Sequence, residues 1–82
     1  MSKAQEQAAR FFASQARTYQ EQAARSFFDY SEEMSVLAIF TPGGKAGEDC
    51  RLAAIKFQNA AAIDSAIARA YVAAIEAAKE DS

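Results

Sequence analysis

The sequence predicts an all-α protein, an antiparallel two-helix hairpin that assembles into a homo-oligomeric helical bundle. Three observations carry that expectation. Ala supplies 21 of the 82 residues, a composition that favours helix over sheet. All three Gly and the single Pro fall within Thr41-Pro42-Gly43-Gly44-Lys45-Ala46-Gly47, so only one region carries strong helix punctuation. On either side of it, apolar residues recur at helical spacing. The length admits one small domain, residues 1–82, and excludes a two-domain enzyme.

The first helix is predicted from about residue 2 to about 38. Ser2 followed by Gln5 reads as a capping box, and Glu6 with Arg10 and Glu21 with Arg25 are i,i+4 pairs of the favourable order. Its apolar stripe is Ala4, Ala8, Phe12, Ala16, Tyr19, Ala23, Phe27, Tyr30, Met34 and Leu37, a mean step of about 3.67 residues that suits a nearly straight helix. Ser35–Phe40 has strand propensity but no second strand to pair with, and reads as the last helical turns or an extended lead into the loop. The loop spans about residues 41–47. The second helix runs from about 48 to 79, with Glu48 and Asp49 at its positive end. Its seam is Cys50, Ala53, Phe57, Ala60, Asp64, Ile67, Tyr71, Ala74 and Ala78, a 3,4 alternation broken in polarity only by Asp64.

Folding about Gly43 and Gly44 sets residue x opposite residue 87 minus x. Phe12 then faces Ile75, Ala16 faces Tyr71, Tyr30 faces Phe57, Met34 faces Ala53, and Asp64 lies near Ala23 without a cation on its own helix. A lone hairpin buries one face of each arm, while Phe11, Phe28, Leu52, Ile55, Ile63 and Ile75 leave surplus apolar surface on its flanks. With no disulfide or metal to staple so small a core, self-assembly is the expected remedy. Phe11, Phe12, Phe27, Phe28 and Phe57 are the candidate oligomer or partner face. The segment Gln-Glu-Gln-Ala-Ala-Arg occurs at 5–10 and again at 20–25, each copy followed by a Phe pair, which reads as helix-forming composition or as two similar contact patches.

Function is less legible. The chain holds no His and one Cys, Cys50, which leaves acid/base, nucleophilic and zinc chemistry each short of a required part. No catalytic residue, metal or cofactor is expected, and the protein is read as a non-enzyme. The net charge of -2 without a basic block disfavours binding to long nucleic acid. No apolar run of membrane-spanning length and no signal-peptide core appear, so the expectation is a cytoplasmic protein without a membrane partner. Gly43-Gly44-Lys45 before a helix offers N–H groups and an ammonium to an anion, although no Ser or Thr follows the Lys as a phosphate loop requires. Lys45, Arg51, Lys56, Arg69 and Tyr71 are the ligand candidates, the cations for phosphate and the ring for stacking on a base.

The stretch from Pro42-Gly43-Gly44 through Leu52-Ala53, Lys56-Phe57, Ala60 and Ile67-Ala68-Arg69 resembles the second half of a family of phage helical hairpins. Members of that family are anti-defence sponges that sequester cyclic nucleotide signals of bacterial immunity. Gln58-Asn59 stands where the family has an acidic pair. The resemblance implies a phage or mobile-element origin, action in the host cytoplasm, an oligomeric non-enzymatic binder, and Arg69 with Lys56 as ligand contacts. The competing expectation is a helical inhibitor or adaptor that docks its Phe residues on a host protein.

Overall fold

The computed structural model describes residues 2–80 as two long helices, α1 (Lys3–Leu37) and α2 (Lys45–Glu80), packed side by side. The result is a rod whose Cα extents are 60 × 14 × 12 Å. α1 starts at the expected cap. The Ser2 N–H donates to Gln5 Oε1 at 2.7 Å and the Gln5 N–H donates to Ser2 Oγ at 3.2 Å, so two N-terminal donors are satisfied reciprocally. Its far end closes by tightening: the N–H groups of Ile39 and Phe40 donate to the carbonyls of Val36 and Leu37, the i to i−3 pattern of a last turn. Ser35–Phe40 is thus helical end and turn.

The reversal is shorter than the sequence predicts. Gly44 N–H donates to the Thr41 carbonyl at 3.2 Å with Pro42 and Gly43 between them, and Gly43 has φ +85, the type II arrangement of Pro then Gly. Glu48 N–H then reaches the Gly44 carbonyl, so α2 begins at Lys45, three residues before the expected start. Gly47, expected in the loop, is a buried helical residue. A Cβ there would meet Leu37, Phe40 and the Thr41 carbonyl at ordinary contact distance, whereas the position at which an L side chain is strained is Gly43. Gly43→Ala is expected to destabilise the hairpin by about 1 kcal/mol or more, a fall of about 4–8 °C in the melting midpoint of a domain this size. Gly47→Ala serves as the near-neutral comparison in the same thermal melt.

The seam is built on alanine. Ala16, Ala23, Ala54 and Ala68 form the buried apolar core, with larger side chains packed half-buried beside them. Tyr71 fixes the register: its ring centroid lies 6.0 Å from that of Phe12 and 6.0 Å from that of Tyr19, which centres it over Ala16. Every residue of the predicted α2 seam is half-buried. The α1 stripe needs correction. Ala4, Phe27 and Met34 are exposed, and the positions turned inward are two main sets, Gln5, Phe12, Tyr19, Ser26 and Glu33 together with Ala9, Ala16, Ala23, Tyr30 and Leu37, with Ala8, Gln15 and Asp29 half-buried at their margin. Both sets repeat every seven residues. Against a partner with a strict 3,4 seam, α1 follows the 3.5-residue period of two wrapped helices, and the predicted stripe stays on the contact from Ala8 to Ala23 before it departs at Phe27 and Met34.

Candidate functional site

The heptad seam divides the rod into two long faces. On one of them α1 presents Gln20, Ala24 and Phe27, and α2 presents Gln58, Ala61, Ala62, Ser65 and Ala68. These line a shallow groove of ≈ 610 Å³ with Ala23 in its floor and Arg69 at its edge. The groove exists because the floor positions carry methyl groups where a helix interface ordinarily carries Leu or Ile. A smaller hollow of ≈ 300 Å³ under the loop is lined by Leu37, Ala38, Phe40, Pro42, Gly47 and Arg51, among others. It opens on the same face, because Gly47 and Arg51 precede Ala54 and Gln58 by seven residues.

The expected ligand residues are distributed unequally. Arg69 lines the groove and Arg51 the loop hollow. Arg51 Nε is 4.0 Å from Glu48 Oε2, and Lys45 Nζ is 3.5 Å from Asp49 Oδ2. Both are surface pairs within one helix, of the kind worth little and easily exchanged for another anion. Lys56 is exposed and lies on the opposite face of the rod. Tyr71 is half-buried in the seam with Phe12 and Tyr19 against its ring. Phe27, 62% exposed, is the aromatic that reaches the groove. Gln20, Gln58 and Ser65 were not singled out by the sequence. For Gln58 and Ser65 the signal was the seven-residue recurrence of Ala54, Ala61 and Ala68, which marks a second, narrower stripe beside the α2 seam, while Gln20 on α1 had none.

The five candidate interface Phe residues do not form one patch. Phe12 and Phe57 are half-buried in the hairpin, and Phe11 is exposed beside Phe12 with the two ring centroids 6.0 Å apart. Phe27 lines the groove, while Phe28 lines a separate depression with Ser31, Glu32 and Val36 on the outer side of α1. The two Gln-Glu-Gln-Ala-Ala-Arg copies explain the divergence. Fifteen residues are two heptads plus one, so the copies occupy successive rather than equivalent positions around the helix, and Ser26 adds a further step before the second Phe pair.

No family model, curated protein or solved structure matches the chain.

Two acidic groups complete the electrostatics. Asp64 is half-buried in the seam level with Ala23 and has no ion-pair partner among the described residues. It is not among the residues lining the groove. At the loop end, burial in the seam and the neighbouring Glu33 carboxylate, which accepts a hydrogen bond from the thiol, raise the Cys50 pKa above its ordinary value. That environment holds Cys50 as a thiol and lowers its reactivity. Among the described residues no group of three His, Cys, Asp or Glu side chains gathers into a metal-binding set, and no helix is long and apolar enough to cross a membrane. The arrangement suits reversible binding of a small anionic molecule: a guanidinium at the edge, amides and a hydroxyl for hydrogen bonds, one ring for stacking, and a floor without carboxylates.

Proposed function

We propose that the protein is a small oligomeric binding protein that sequesters an anionic nucleotide, of the cyclic nucleotide signal type, in the groove between α1 and α2 and against a neighbouring copy. The observation that carries the reading is the juxtaposition of Arg69, Phe27, Gln20 and Gln58 around a floor of alanines. A guanidinium answers a phosphate, a phenyl ring answers a base face, and amides answer base edges. The resemblance of Leu52-Ala53, Lys56-Phe57 and Ile67-Ala68-Arg69 to the phage sponge family supports the same ligand class. Self-assembly is supported by the exposure of Phe11, Leu52, Ile55, Ile63 and Val72, each more than two-fifths accessible in the single hairpin, and by the groove's openness, which one copy leaves without a roof. The host-protein inhibitor reading draws less support, because Phe27 and Phe28 point to different sides.

The test is a thermal melt against cyclic di- and trinucleotides. A ligand present at about 100 times its dissociation constant stabilises the folded protein by about 2.7 kcal/mol, which for a chain of this size raises the melting midpoint by about 10–20 °C. A panel that produces no shift at millimolar ligand overturns the reading.

A further inference from the structure

The charges are scattered in sequence and gathered by the fold. Along α1, Lys3, Arg10, Arg17, Ala24 and Ser31 occupy one row at seven-residue spacing. Along α2, Arg51, Gln58, Ser65, Val72 and Lys79 occupy another. Ala24 in the first row and Gln58 and Ser65 in the second line the groove, so both rows flank the groove face, one on each side. Neither row contains a carboxylate. The acidic residues that share the face are Glu6 in the first turn of α1 and, in the row of Ala62 and Arg69 on α2, Glu48 and Glu76. Glu48 lies 4.0 Å from Arg51 and Glu76 lies 3.5 Å from Lys79, which leaves Lys3, Arg10, Arg17 and Arg69 as the cations of the track outside those pairs. The register places Arg17 level with Arg69 and Arg10 near the level of Lys79. Lys3, Arg10, Arg17, Arg69 and Lys79 therefore lie within about 15 residues of helix, roughly 22 Å, at the end of the rod away from the loop.

We propose that this face is a binding track for single-stranded nucleic acid. Its cations neutralise the backbone while Phe27 and the amides of Gln20 and Gln58 meet unstacked bases in the groove. An acidic peptide would use the cations equally, but the amides and ring between the rows favour bases as the central partner. The expectation against long nucleic acid rests on the lack of a basic block in the sequence, and a seven-residue spacing builds a basic face without one. The inference extends beyond the cyclic nucleotide reading and does not depend on it, because Arg10 and Arg17 are not among the residues lining the groove.

The experiment is fluorescence anisotropy of a labelled 20-nucleotide single strand with the full chain, across a salt series. About four neutralised phosphates give a slope of log affinity against log salt near −3. Arg10→Glu/Arg17→Glu is expected to weaken binding at least tenfold and to reduce that slope by about two, with helical content by circular dichroism unchanged. Arg10→Gln/Arg17→Gln, a milder variant, should fall between the two. Absence of binding at low salt, an unaltered affinity in both variants, or equal competition by a polyglutamate of the same length each overturns the proposal. Retention of cyclic nucleotide stabilisation by Arg10→Glu/Arg17→Glu, with oligonucleotide binding lost, separates this proposal from the smaller-ligand reading.

Discussion

Ala16→Asp is expected to abolish the cooperative thermal transition of the hairpin or lower its midpoint by at least about 15 °C. Ala16 is 5% exposed and lies beneath the Tyr71 ring, between the rings of Phe12 and Tyr19 that Tyr71 contacts. A carboxylate one methylene from the backbone cannot reach water from there, and the desolvated charge costs several kcal/mol with no cation in the seam to offset it. A domain of this kind has a total stability of about 5–15 kcal/mol, so a loss of about 4 removes much of it. The comparison is Ser14→Asp, two residues earlier on the exposed outer side of α1, which should change the midpoint by no more than a few degrees. Equal effects at the two positions would overturn the assignment of the seam.

On the proposed reading of an oligomer that binds a cyclic nucleotide, Arg69→Glu is expected to weaken that binding by about 10- to 100-fold, the range of a lost charge-assisted hydrogen bond, with the mass of the assembly unchanged. Arg69 is exposed on α2 and lines the groove, so its reversal places a carboxylate beside the phosphate without disturbing the alanine contacts below. Titration of ligand by calorimetry alongside native mass measurement reads both quantities. Undiminished affinity would remove Arg69 from the site. Loss of both affinity and assembly would instead make it a residue of the subunit contact.

Much of the architecture was legible because it is written in local signals. Ser2 with Gln5 announced the start of α1, Pro42-Gly43 the reversal, and the alternation from Cys50 to Ala78 the seam of α2. The errors lie where one helix must answer another. Phe27 and Met34 read as core on α1 alone, since a free helix has no reason to prefer a period of 3.5 over 3.67. Contact with α2 supplies that reason and turns Ser26 and Glu33 inward instead. Gly47 reads as loop by residue type, yet it is a buried residue of the first turn of α2 beside Leu37 and Phe40, at a position where a methyl group also fits.

The site was legible only in part for a related cause. Arg69 and Phe27 stand out as a cation and an aromatic, but Gln20 and Ser65 are ordinary polar residues until a partner helix brings them to the rim of one depression. The basic face is a similar case. Arg10 and Arg17 are seven residues apart in the chain, and their alignment with Lys79 depends on the hairpin register.

The one-step offset between the two Gln-Glu-Gln-Ala-Ala-Arg copies bears on how this chain tolerates change in length. An added residue in the Thr41–Gly44 turn alters the local reversal and leaves each helix's own angular bookkeeping intact. The same addition within α1 swings every preceding side chain about 100° around the axis relative to those that follow. It would carry Arg10 off the groove face and Phe12 out from under Tyr71 together. Variation in length is therefore tolerable at the tip of the rod and ruinous along its shaft, so related chains should differ by insertion at the turn and by substitution elsewhere.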